Sequence, residues 1–185
     1  MGNGFAFDLR LGQWAWMVGP ALLSFGAGKD WWHQGWNLPN VTCVGCSVAG
    51  NDTGPGPRLD ALTYWSKGAL YVYGGYSRMK GPVTFESYGD MWRYTPRNDT
   101  WQYLGGPINC AQSQANSSYG QLGVESSTNM PWGRVAPGGG VSSDGTLWVY
   151  AGRLHPLCPG DICMGNDLWS FNINNWMWTW RGGSQ

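Results

Sequence analysis

The most reactive side chains in the sequence are five cysteines: Cys43, Cys46, Cys110, Cys158 and Cys163. Cys43-x-x-Cys46 has the spacing of a redox motif or of half a zinc site. No βαβ pattern surrounds it and no second such pair follows, so structural disulfides fit better. Cys158 and Cys163 are close enough in sequence for a local bridge, and Cys110 is available to either member of the first pair. The odd count leaves one thiol free or bonded elsewhere. Metal chemistry needs several N, O or S ligands at one point. The sequence has only His33 and His155, neither in a ligand motif, so no metal or cofactor is expected.

Hydrolysis by paired carboxylates is the next candidate. Asp90 and Asp167 precede related Met-Trp and Leu-Trp pairs. A residue repeated in this way reads as a turn cap rather than a catalyst. Asp30, Glu125 and Asp161 stand alone, and no nucleophile elbow, phosphate loop or zinc-protease helix is present. No catalytic residue is assigned. Four sequons, at Asn40, Asn51, Asn98 and Asn116, mark candidate N-glycosylation sites. Together with clustered cysteines they place the protein outside the cell or on its surface. A cluster of rings, Trp31, Trp32 and Trp36, lies beside Gln34 and Asn37. A flat aromatic with amides nearby suits a sugar ring, which has an apolar face and polar edges. A small satellite core under a long loop would use the same residues.

Composition narrows the partners. Lys plus Arg equals Asp plus Glu at 11 each, and charged residues are 12% of the chain. Without a basic stripe, nucleic acid is not expected. No apolar run reaches the ~18 residues of a membrane span. The N-terminus lacks the apolar stretch of a secretory signal, so Met1 is not expected to be the native start. The 14 Trp, 9 Tyr and 30 Gly point to aromatic strands and glycine turns, an all-β fold.

Those strands recur. LWSFNINNWMWTWRGG (168–183) aligns with MWRYTPRNDTWQYLGG (91–106) and FAFDLRLGQWAWMVG (5–19). Phe7 and Trp14, Tyr94 and Trp101, and Phe171 and Trp178 share one spacing. Upstream, GPRLDALTYWSKGALYVYGG (56–75) aligns with WGRVAPGGGVSSDGTLWVYAG (132–152). Each full unit reads as four short antiparallel strands, a to d. Strand a follows Arg58 or Arg134. Strand b ends in Gly74-Gly75 or Ala151-Gly152. Strand c follows Asp90 or Asp167, and strand d carries Trp101 or Trp178. Four such strands make a propeller blade.

The run of Arg, Leu-Tyr-Val-Tyr-Gly-Gly, Asp-Met-Trp-x-Tyr and Trp-x-Tyr-x-Gly-Gly resembles the kelch repeat. The resemblance covers 5–19, 56–106 and 132–183. It departs at Ala151, where the family has glycine, and the Trp14–Trp101–Trp178 spacing exceeds the usual repeat of about 50 residues. It implies a partial kelch-type β-propeller, half a blade plus two four-stranded blades. The outer strands of one blade fall in 1–19, with a long loop over 20–55. One blade spans 56–106, an inter-blade loop 107–131, and a second blade 132–183. Because a propeller closes with 4–8 blades, the sequence reads as part of a longer chain.

Connectivity then sorts the loops. The a–b and c–d turns share one end of a blade, and the b–c and d–a loops share the other. All five cysteines, both histidines, three sequons and the Trp31–Trp36 cluster fall in the second set. Function concentrates on such loops. The reading is a non-catalytic binding or structural module of a secreted or surface glycoprotein. A protein or glycan partner would meet the long-loop end, within an extracellular assembly or filament. One alternative is part of a copper-oxidase-type kelch enzyme whose ligands lie in other blades. Another is an intracellular kelch adaptor. Recurrent Trp101 and Trp178 are expected in the core. Trp176 aligns with Gly12 and Asp99 at a turn, and is a candidate ligand contact with Trp31, Trp32 and Trp36.

Overall fold

The structure is a computed structural model that describes residues 4–8, 13–18, 55, 58–78, 85–107, 117–154 and 163–184. For 4–8, 13–18, 77–78 and 85–86 the backbone alone is described. Every regular element in these segments is a β-strand. The first three are β1 (Gly4–Asp8), β2 (Gln13–Val18) and β3 (Leu62–Ser66). Next are β4 (Ala69–Tyr73), β5 (Tyr76–Arg78), β6 (Phe85–Ser87), β7 (Met91–Thr95) and β8 (Thr100–Gly105). The remainder are β9 (Glu125–Ser126), β10 (Gly138–Val141), β11 (Leu147–Tyr150), β12 (Arg153–Leu154), β13 (Cys163–Met164), β14 (Leu168–Asn172) and β15 (Met177–Gly182).

Two sheets have the up-and-down topology of propeller blades. The first has strand order β3-β4-β7-β8, and the second β10-β11-β14-β15 with β9 added beyond β15. Register follows the aromatic repeat. Tyr94 faces Trp101 and Trp92 faces Tyr103 in the first blade. Phe171 faces Trp178 and Trp169 faces Trp180 in the second. Phe7 faces Trp14 and Phe5 faces Trp16 in the β1–β2 hairpin. Cross-strand aromatic pairs of this kind are what fix register in a half-buried sheet.

The blades pack face to face. Tyr64, Tyr71, Tyr73, Met91 and Leu104 of the first sheet share a core with Leu147, Val149, Trp169, Phe171 and Trp178 of the second. Alternation along each strand selects these residues: one face of each sheet turns toward its neighbour. Trp178 lies 4.8 Å from Phe171 and 5.1 Å from Tyr73, ring centre to ring centre. Tilted aromatic contacts of this geometry add about 0.5–1.5 kcal/mol each beyond burial.

Two features depart from the four-strand expectation. The span read as an inter-blade loop supplies β9, a fifth strand on the outer edge of the second blade. Ser118 also bridges Met130 within it. In addition, each b–c connection begins as a small hairpin, β5–β6 or β12–β13. These hairpins extend the blades at the end from which the long loops depart.

Candidate functional site

Strands a and c begin, and strands b and d finish, at the same end of each blade. There the sequence places an arginine before strand a and an aspartate before strand c. In the first blade, Arg58 Nη1 donates to Asp90 Oδ1 at 2.7 Å and Nη2 donates to Oδ2 at 3.0 Å. Trp92 Nε1 donates to Asp90 Oδ2 at 2.6 Å, and Arg58 Nη1 also reaches the Gly74 carbonyl at 3.1 Å. The guanidinium lies 4.2 Å from the centre of the Tyr88 ring, within cation–π range.

The second blade repeats the unit. Arg134 Nη1 and Nη2 donate to Asp167 Oδ1 and Oδ2 at 2.8 and 3.0 Å. Trp169 Nε1 donates to Oδ2 at 2.7 Å. Tyr119 from the inter-blade segment donates its hydroxyl to the same oxygen at 2.7 Å. Arg134 further reaches the Ala151 and Trp132 carbonyls. Asp90 and Asp167 are therefore not turn caps. Each is the acceptor of a buried bidentate ion pair, which joins the entry of strand a to the entry of strand c.

The electrostatics follow from this geometry. Burial alone would raise the Asp167 carboxyl. The Arg134 hydrogen bonds and charge, with the Tyr119 and Trp169 donors, outweigh it and hold the group below the usual carboxylate range. Burial and the bond to Asp167 push the Tyr119 hydroxyl up. A carboxylate has about four lone-pair sites, and four side-chain donors reach Asp167. Three of these donors converge on Oδ2 and one takes Oδ1, so the carboxylate is engaged in holding strand entries together. These pairs hold the roots of the loops in place.

The seam between blades uses the same residues. Gly75 N–H donates to the Arg134 carbonyl at 2.9 Å, and Arg134 N–H donates to the Tyr88 carbonyl at 3.1 Å. Tyr73 donates its hydroxyl to the Trp132 carbonyl at 2.9 Å, and Ser87 Oγ donates to the Gly133 carbonyl at 3.0 Å. Gly74 is required here, since a Cβ on it would sit 2.8 Å from the Arg134 carbonyl oxygen.

Other sequence candidates scatter. Trp178 is buried in the inter-blade core, and Trp101 is half-buried against Tyr94 with ring centres 5.1 Å apart. Gly152 follows the end of β11, with φ of 101°, beside Pro137. Trp176 lies at the β14–β15 turn, 40% exposed and with φ of 62°. Asn98 is exposed at the equivalent turn of the first blade, where its side-chain oxygen accepts from Thr100 Oγ1 at 2.7 Å. Cys163 is disulfide-bonded. Asn40, Asn51, Asn116, Cys43, Cys46, Cys110, Cys158, Trp31, Trp32, Trp36, His33 and His155 lie outside the described residues. Among the described residues no helix is long and apolar enough to cross a membrane.

Sequence reasoning names both arginines and both aspartates without pairing them. The signal is present: partners are separated by 32 residues in one blade and 33 in the other. Tyr119 has no counterpart in the first unit among the described residues and leaves no such signal.

No family model matches the chain. The chain is similar to N-acetylneuraminate epimerase of Salmonella arizonae, with 34% identity over 47 residues, 25% of this chain and 12% of that protein. Among solved structures, that of YjhT aligns with a TM-score of 0.48 and 18% identity, over 72% of this chain and 40% of that one. The chain therefore spans well under half the length of the relatives it matches. The epimerase match corrects one expectation, that the module is not an enzyme: a relative bearing part of this sequence is an enzyme by name. The physical reason is that a propeller pocket draws on loops from several blades. A missing catalytic motif within two blades therefore carries no weight.

Proposed function

We propose that the chain is a saccharide-contacting propeller module of a secreted or cell-surface glycoprotein, its ligand meeting the end from which the b–c and d–a loops depart. The observation that carries this reading is the pair of buried Arg–Asp–Trp units at that end. Binding loops need rigid roots, and each blade there fixes its own by a bidentate ion pair. The partial similarity to a protein named for a sugar supports a saccharide over a protein partner. The bonded state of Cys163 and the exposed Asn98 sequon support an oxidising, glycosylating compartment over a cytosolic adaptor.

The test is calorimetric titration of the full-length protein with a saccharide panel that includes N-acetylneuraminate. Saturable binding that is lost in Trp31→Ala or Trp36→Ala supports the assignment. Binding of no saccharide overturns it. A second reading, a sugar-converting enzyme, is favoured by the epimerase match. Incubation with N-acetylneuraminate followed by proton NMR checks it, and a new anomeric or epimeric signal would support it. Intact mass of natively sourced protein tests the compartment: a glycan-free chain with five free thiols would favour the intracellular adaptor. Stoichiometric copper would favour the oxidase.

A further inference from the structure

The opposite end of the second blade holds an arrangement without parallel in the first. Trp176 occupies the left-handed region, φ 62°, at the turn position where the first blade has Asp99 at φ 51°. Asp tolerates that conformation because its short polar side chain can bond locally, whereas a bulky ring there is strained. The ring is also 40% exposed, so core packing does not account for the choice. Strain retained at an exposed aromatic points to a use for the ring.

The surroundings give that use a chemistry. The fifth strand, β9, is a second feature seen only in this blade among the described residues, and it carries Glu125 to the same turn. Glu125 Oε2 accepts from Asn172 Nδ2 at 3.1 Å, and Oε1 accepts from the Asn175 amide. The side-chain oxygen of Asn172 accepts from Asn174 N–H at 3.0 Å, and that of Asn175 accepts from Met177 N–H at 3.2 Å. Lys67, from the a–b turn of the first blade, donates to Asn174 Oδ1 at 3.4 Å. The amides are thus held in place, while each still has an unused N–H and Glu125 retains lone pairs.

We propose that Trp176, Asn174, Asn175 and Glu125 form a saccharide subsite on the c–d turn of the second blade, at the end away from the long loops. The indole stacks on the C–H face of a pyranose ring. The amide N–H groups and the Glu125 carboxylate take its hydroxyls. The carboxylate selects neutral over anionic sugars. This subsite does not depend on a ligand at the long-loop end. Its sugar is either free or the chain's own N-glycan, since Asn98 lies on the equivalent turn of the neighbouring blade.

The experiment is saturation-transfer NMR and calorimetry on the full-length protein with the methyl glycosides of glucose, galactose, mannose and N-acetylglucosamine. Trp176→Asp is the main variant, because it installs the residue found at the equivalent strained position and so keeps the turn. The expected result is millimolar binding of at least one glycoside, weakened at least tenfold by Trp176→Asp and severalfold by Glu125→Gln. Binding seen only after Asn98→Gln or enzymatic deglycosylation would also support the subsite and would assign its natural occupant to the Asn98 glycan. Binding of none of the four glycosides in either form overturns the proposal, as does binding unaffected by Trp176→Asp. Concentration-dependent dimerisation abolished by the same variant overturns it in favour of a second copy of the chain.

Discussion

The two blades carry the same Arg–Asp–Trp unit in two settings, and the difference shows what each is for. Asp90 is reached by three side-chain donors from Arg58 and Trp92. Asp167 receives those three equivalents and a fourth from Tyr119. The Arg58 side chain keeps 6% of its surface in solvent, and Arg134 keeps none. The first unit closes one blade. The second also anchors the inter-blade segment and supplies the backbone to which the first blade binds. A buried ion pair is poor evidence of stability for its own sake, but breaking one by removing a partner is costly. The second unit should therefore be the harder to lose.

The largest expected effect tests that ranking. Asp167→Asn leaves Arg134 buried and half-paired, and should cost about 3–5 kcal/mol in urea unfolding of the full-length protein. Asp90→Asn should cost at least ~1 kcal/mol less, because Arg58 can recover some hydration. Equal losses would remove the distinction between the blades. The same pair sets a pH dependence. Asp167 has a depressed carboxyl in the folded protein, so its contribution is fully present above the unfolded value of about 4. It is lost as pH falls through the folded value. Acid unfolding below about pH 4 should be shallower in Asp167→Asn than in the parent protein.

The core offers a second contrast of similar size. Trp178→Ala should cost about 3–5 kcal/mol, the range for a large buried ring, and the half-buried Trp101 should cost clearly less when truncated. A Trp178 loss below about 1 kcal/mol would show that this ring is not core. Tyr119→Phe removes the fourth donor to Asp167. It should cost about 1.5–3 kcal/mol, the range for a hydrogen bond to a charged group. The smallest effect has the opposite sign. Ala151 has φ of 54° where the first blade has Gly74 at 69°. Ala151→Gly should stabilise by about 1 kcal/mol by relieving that strain, while Gly74→Ala should destabilise because of the Arg134 carbonyl. Thermal melts of both variants would check the pair.

The strands are legible in the sequence because they are written as aromatic pairs at fixed spacing. Tyr94 and Trp101, then Phe171 and Trp178, announce a hairpin each time, and Gly-Gly or Ala-Gly marks the end of strand b. The ion pairs are less legible. Arg58 and Asp90 recur like everything else in the repeat, and recurrence alone does not say which residues touch. β9 is not legible at all: two residues give no periodicity, and Glu125 pairs with Thr179 across a wide sequence gap. Tyr119 is missed for the same reason, since its partner is set by the path of an inter-blade segment that follows no repeat spacing. The strained conformation of Trp176 is half legible, because alignment places it at a turn but cannot report its φ.

Arg134 has a mechanical consequence. Its side chain grips its own blade through Asp167, while its backbone N–H and C=O bond to Tyr88 and Gly75 of the blade before. Force that draws the two blades apart loads this segment directly. There it meets two backbone bonds, the Tyr73 and Ser87 hydroxyl bonds and the ion pair, all loaded together. One blade cannot peel from the other one bond at a time. Under pulling the two blades should yield as a single unit, with one large rupture event in place of two small ones.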